Sequence, residues 1–194
     1  MLSHLSSRAL VALGGNLPFA GLSPDQTLTA ALAAFPGEGL VVRAVSRFFR
    51  TPCFPAGAGP DYVNAAALLD VPQGVDAASL LRDLHAIEAK FGRERSTRWG
   101  MRTLDLDLLA LGDSVLPDAA EQARWRAIAP EAQVLAAPDR LILPHPRMQD
   151  RAFVLVPLAD IAPEWVHPLT GSTVADMLAA LPAADVAAVK PLVE

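Results

Sequence analysis

Between Thr103 and Leu109 the chain reads TLDLDLL, an alternation of leucine with aspartate. On a strand, successive side chains point to opposite faces, so Leu104, Leu106 and Leu108 share one face and Asp105 and Asp107 share the other. An uncompensated charge buried in hydrocarbon costs several kcal/mol. The leucine face must therefore be covered and the aspartate face must stay wet or find cationic partners. The alternation predicts a strand over Thr103–Leu111 in a sheet with two unlike faces.

The rest of the chain supplies the partners of that strand. Ala9 to Leu13 is a short apolar run that ends in the turn signal Gly14-Gly15-Asn16. A helix follows, with Ser23 as its cap, Pro24 in its first position, Gln26 completing a capping box, and Leu28, Ala31, Leu32 and Phe35 as one apolar stripe. Pro36-Gly37 stops it. Val41 to Arg50 alternates in part and reads as a strand beside solvent, and Tyr62 to Leu69 reads as another, with Tyr62 and Asn64 on one face. Asp76 caps a second helix whose Leu80, Leu84, Ile87 and Phe91 line one side before Gly92. The order β-α-β-β-α-β predicts an α+β fold of ferredoxin-like type, an antiparallel sheet with helices on one face, followed by a C-terminal extension. The extension contains a final helix from about Thr173 to Leu181. Within the less regular 113–138 segment, Ala119 to Ala127 reads as a short helix.

With 194 residues, 52% of them hydrophobic, the chain is long enough for one domain with its own core and short for two. Sixteen basic against 21 acidic residues give a net charge of −5, which argues against a broad nucleic-acid or anionic-membrane surface. Positive charge is nonetheless concentrated locally: Arg93, Arg95, Arg98 and Arg102 stand within ten residues beside one acid, Glu94. The single cysteine, Cys53, excludes an intrachain disulfide framework and fits a reducing compartment. No apolar run approaches the roughly 18 residues of a membrane span, and the apolar start is broken at Gly14 and Gly15. A cytoplasmic monomer acting on small molecules is expected, with neither nucleic acid nor membrane as partner.

Residues two apart on a strand have Cα atoms roughly 6.5 to 7 Å apart, so Asp105 and Asp107 form a paired anionic claw. Hard cations such as Mg²⁺ prefer this kind of oxygen donor. By itself a DxD pair is a solvated feature or a partner for arginine. Beside an arginine-rich loop it becomes a combination suited to polyphosphate transfer, in which metal ions and guanidinium groups neutralise charge on phosphoryl oxygens. No GxxxxGK[ST] sequence occurs, so a nucleotide would be held without a P-loop.

The stretch Trp99 to Leu109, WGMRTLDLDLL, resembles the W-G-P-R-T-L-D-L-D signature of the 6-hydroxymethyl-7,8-dihydropterin pyrophosphokinases of the folate pathway. Family-like landmarks recur in order along nearly the whole chain: ALGGN from Ala12, FRTP from Phe49, DYVNAA from Asp61, IEAKFGRER from Ile87, LPHPRM from Leu143 and RAFVLVPLADIAP from Arg151. The resemblance implies one pyrophosphokinase domain over residues 1–194, with an insertion at about 113–138. It implies transfer of the β,γ-pyrophosphate of ATP to the hydroxymethyl group of the reduced pterin, releasing AMP. Asp105 and Asp107 would hold two Mg²⁺ ions, with Arg93 and Arg102 beside them in catalysis. Glu88, Arg93, Arg95, Arg102, His145 and Arg151 would bind or position the nucleotide. Trp99 and Phe153 would sandwich the pterin over a floor of Thr51, Pro52, Tyr62 and Asn64.

Three positions depart from the family pattern. Gly15 stands where serine is usual and is expected to serve a turn. Met101 replaces a proline next to Arg102, which loosens the loop, and the 113–138 segment is longer than in compact members. Two other classes compete: a binding module that keeps a metal-nucleotide pocket without turnover, and a metal-dependent phosphodiesterase using the same carboxylates. The intact set of ring-stacking and phosphate-binding residue types disfavours the first, and the lack of a histidine cluster in the sequence disfavours the second.

Overall fold

The computed structural model describes residues 7–53, 57, 59–92, 102–129, 132 and 138–192. The elements run β1 (Ser7–Gly15), α1 (Pro24–Ala34), β2 (Val41–Val45), β3 (Phe49–Thr51), β4 (Tyr62–Val71), α2 (Ala77–Lys90), β5 (Asp105–Leu111), α3 (Ala119–Arg126), α4 (Ala152–Ile161), α5 (Val174–Ala179), α6 (Ala183–Ala188) and β6 (Lys190–Pro191). The sheet order is β5-β1-β4-β3-β6, and every ladder is antiparallel. With β2 and β3, which both pair with β4, counted as one interrupted strand, the order is the β-α-β-β-α-β that the alternation of patterns predicts.

The two helices start where their caps place them. Gln26 Oε1 accepts the Ser23 N–H at 3.0 Å, and Asp76 Oδ1 accepts the Ser79 N–H at 2.7 Å. Their stripes bury Leu28, Ala31, Leu80, Leu84 and Ile87 completely against the sheet. Leu104, Leu106 and Leu108 come from β5 and its approach to the same core, so the leucine half of the alternation is covered as expected. The alternation ends at a bulge: Val11 faces Leu108 while Leu10 faces Ala110, which leaves Leu109 as the extra residue. That is why the pattern reads LDLDLLAL rather than continuing in strict register.

The segment Val41 to Arg50 is not one strand. β2 and β3 both pair with β4, in series along it, and Ser46 to Phe48 interrupt them. Ser46 takes over the ladder there. Its N–H donates to the Ala66 carbonyl and its Oγ accepts the Ala66 N–H, each at 2.9 Å. Arg47 turns outward to Asp160, with Nε at 2.9 Å and Nη2 at 2.8 Å from the carboxylate. Val41 and Val45 stay exposed, whereas Phe49, beyond the break, is 2% exposed.

The extension covers half of the aspartate face. Val154, Leu155 and Leu158 of α4, with Val174 and Met177, bury Leu10, Ala66, Leu109 and Ala110 in a second core. The other half of this face carries the candidate site.

Candidate functional site

Strand register sets the site out in rows. Gly14 faces Asp105 on one side and Asn64 on the other, and Asn64 in turn faces Phe49. One turn of the pleat away, Ala12 lies between Asp107 and Ala66. Neighbouring strands are about 4.8 Å apart, so the backbone of Asp105 lies about 9.5 Å from that of Asn64. Small residues on β1 keep the space between them open. A Cβ at Gly14 would come within 3.1 Å of Asn64 Oδ1.

On the β4 side, Asn64 Nδ2 donates to Thr51 Oγ1 at 2.5 Å, and both residues are buried. Pro52 follows at an exposed rim position. Tyr62 is half-buried on the same face as Asn64. Burial pushes its phenol upward from the ordinary value; Cys53 and Asp105 act in the same direction, and Arg102 acts against them.

On the β5 side, Asp105 and Asp107 are both half-buried. The Arg102 guanidinium donates to Asp105, with the two side chains 27% and 18% exposed. His145 lies in the same field. Its Nδ1 accepts the Arg147 N–H at 3.2 Å, so the ring proton belongs on Nε2. Burial, then the charges of Arg151 and Arg147, hold its pKa down to about 3, with Asp105 opposing. The imidazole is therefore neutral near pH 7 and has one N–H to donate. Arg151 stands over the ring of Phe153 at 5.5 Å, and Phe153 is 40% exposed at the start of α4.

Thus Thr51, Pro52, Tyr62, Asn64, Arg102, Asp105, Asp107, His145, Arg151 and Phe153 are gathered on or beside one face. Arg93, Arg95, Trp99 and Met101 lie outside the described residues. Glu88 meets the site through the backbone of β5 rather than from the open face. It is 1% exposed on the α2 side of the sheet, and its Oε1 accepts the Leu106 N–H at 2.7 Å. Its spacing four residues after Leu84 already places it on the buried stripe of the helix. Gly15 is corrected: it closes β1 rather than serving a free turn, and a Cβ there would lie 2.6 Å from the Thr103 carbonyl oxygen.

Two residues escaped the sequence reading. Asn16, 1% exposed, accepts the Arg102 N–H at 2.9 Å on Oδ1 and donates from Nδ2 to the Pro60 carbonyl at 3.1 Å, tying together the two sides of the cleft. Arg147, 8% exposed, contributes both its N–H and its charge to His145. The clue for Asn16 was its place directly after Gly14-Gly15, where a buried amide can satisfy loop backbone.

The donor set suits a hard cation. Among the described residues no group of three or more His, Cys, Asp or Glu is arranged to hold a metal. Mg²⁺ is commonly held by one or two carboxylates plus phosphates and water, and two carboxylates on one face meet that habit. Asp105 already attracts a cation, the Arg102 guanidinium. Among the described residues no helix is long and apolar enough to cross a membrane.

Comparison with known proteins bears on the same features. Residues 10–163 match the family model for 7,8-dihydro-6-hydroxymethylpterin-pyrophosphokinase. The chain is 41% identical over 170 residues to the 2-amino-4-hydroxy-6-hydroxymethyldihydropteridine pyrophosphokinase of Synechocystis sp., covering 88% of this chain and 74% of that protein. It is 40% identical over 177 residues to the Pseudomonas aeruginosa enzyme of the same name, covering 90% and 92%. Among solved structures, wild-type Plasmodium falciparum HPPK-DHPS superposes with a TM-score of 0.60 at 13% identity, over 92% of this chain. The chain spans 45% of that longer protein, and the likeness carries the fold alone. The motifs that the sheet gathers on one face thus lie within a match over most of the chain, and the chain belongs to the 7,8-dihydro-6-hydroxymethylpterin-pyrophosphokinase family.

Proposed function

We propose that this chain transfers pyrophosphate from ATP to 6-hydroxymethyl-7,8-dihydropterin in folate biosynthesis, and that the half-open face of its sheet is where it does so. Beyond the family membership, the observation that carries this reading is the row Asp105–Gly14–Asn64. It sets a carboxylate pair about two strand spacings from a polar floor that suits a flat heterocycle.

The pterin ring lies over Thr51, Pro52, Tyr62 and Asn64, between Trp99 and Phe153. A Phe153 ring that is already partly exposed needs little rearrangement to stack. The hydroxymethyl group then points along the row toward β5. Its oxygen attacks the β-phosphorus in line, the bond from that phosphorus to the α–β bridging oxygen breaks, and AMP leaves with that oxygen while the hydroxyl proton is lost. Asp105 and Asp107 are the residues that would hold Mg²⁺, two ions in this reading. Bound there, Mg²⁺ supplies charge neutralisation on the triphosphate.

Arg102 exchanges part of its pairing with Asp105 for phosphate. Arg93, Arg95 and Arg151 add positive charge around the same oxygens. His145 donates from Nε2 as a neutral imidazole. It therefore offers direction without a further positive charge. Glu88 acts from behind the sheet, because its bond to the Leu106 N–H fixes the backbone between the two aspartates.

The single cysteine and the net charge of −5 support a cytoplasmic enzyme that does not bind nucleic acid. The working form is a monomer of one domain, with 113–138 inserted in it; both cores share one sheet. The test is incubation with ATP, Mg²⁺ and the reduced pterin. AMP and the pterin diphosphate in equal amounts are expected; ADP, or no pterin product, would overturn the reading.

A further inference from the structure

We infer that Gln122 is a positioning residue for His145, and that helix α3 braces the nucleotide side of the cleft through it. Helix α3 is a polar helix, capped by Asp118, whose Oδ1 accepts the Glu121 N–H at 2.9 Å. Gln122 is nevertheless fully buried, and its Nε2 donates to the Pro144 carbonyl at 3.2 Å. Its Oε1 is buried without a hydrogen-bond partner. A position with only a packing role is better filled by leucine, because a buried amide oxygen left unpaired is costly. What the amide provides is a hold on the residue immediately before His145.

The surrounding bonds give that hold its direction. Leu116 and Leu143 exchange backbone hydrogen bonds of 2.9 and 3.1 Å, which clip the start of the segment to the same loop. The His145 N–H donates to the Leu109 carbonyl of β5 at 2.8 Å, and its Nδ1 is taken by Arg147. Gln122 supplies the third constraint, on the carbonyl of the residue before His145. The imidazole is thus held with Nε2 left over, in the field of Asp105 and Arg151.

This inference rests on reading His145 as a nucleotide-side residue, and a double-mutant cycle separates the two. Binding of an α,β-methylene ATP analogue with Mg²⁺ is measured for the parent, Gln122→Leu, His145→Ala and the double variant, well below each melting temperature. Gln122→Leu should weaken the analogue about three- to tenfold, the worth of one hydrogen bond. It should leave pterin affinity at saturating analogue unchanged, and it should cost nothing further in the His145→Ala background. Should Gln122→Leu fail to fold, Gln122→Met, an uncharged side chain of similar length with no donor for the Pro144 carbonyl, carries the same expectation. A lowered melting temperature with unchanged analogue affinity, while His145→Ala binds weakly, would overturn this inference alone. Equal losses in both backgrounds would also overturn it. A silent His145→Ala would remove the nucleotide-side reading of His145 and this inference with it.

Discussion

Asp105 and Asp107 share a face and a motif but not a neighbourhood, because only Asp105 is shown paired with the Arg102 guanidinium. Neutralising Asp107 relieves like-charge repulsion, so Asp107→Asn should melt at or above the parent temperature without Mg²⁺. Asp105→Asn gives up a partly exposed ion pair and should cost about 1 kcal/mol or less. Both should lose about 100-fold or more in kcat, as for removal of a group that stabilises transferring charge. Thermal melts beside AMP-release rates check this, and an active but destabilised Asp107→Asn would count against a metal role. Phe153→Ala, at a site 40% exposed, should leave stability nearly unchanged and weaken pterin binding by about 0.5 to 1.5 kcal/mol, measured by titration. The paired aspartates were legible because a period of two has one structural meaning. Glu88 carries two signals at once: its motif position implies binding or positioning of the nucleotide, and its place on the stripe of Leu80, Leu84 and Ile87 puts it in the core. Glu88→Ala should lower stability by about 1 to 3 kcal/mol, since it strips the acceptor from the Leu106 N–H, and should reduce turnover through β5. Glu88→Gln, which keeps an acceptor, should recover much of both.

At the scale of elements, capping chemistry and apolar stripes placed α1 and α2, and alternation placed β5, because each signal is local. The break between β2 and β3 was not legible. It depends on Arg47 reaching Asp160, 113 residues away in sequence, through two guanidinium nitrogens and the backbone N–H. That tie joins the end of α4 to the sheet edge. Arg47 lowers the pKa of the Asp160 carboxyl through its hydrogen bonds and charge, against a smaller opposing effect of burial. A folded pKa below the unfolded value of about 3.9 means that the stabilisation is complete above that value and is lost as pH falls through the folded pKa. With side chains 62% and 20% exposed, solvent screens the pair and its contribution to stability is small. Asp160→Asn should therefore melt slightly below the parent at pH 7, and the difference should close once the pH has fallen through the folded pKa of Asp160. A difference that persists unchanged at acid pH would assign the effect to packing instead.

The whole molecule is a sheet with two unlike faces, the second of them unevenly covered. Two helices bury the first face, the C-terminal extension buries the apolar half of the second, and the polar rows of Asp105, Gly14 and Asn64 remain beside the extension. Composition and pattern revealed the first layer. The second was hidden because α4 reads as an unbroken apolar stretch without period, and because the residues it covers, such as Ala66 and Leu109, carry no mark of which face they occupy. In the proposed reaction the oxygen of the pterin hydroxymethyl group attacks the β-phosphorus of ATP at this half-covered face. ATP labelled with ¹⁸O in the α–β bridge reports which bond breaks. All of the label should appear in AMP and none in the pterin diphosphate. Label in the pterin product, or formation of ADP in place of AMP, would overturn attack at the β-phosphorus.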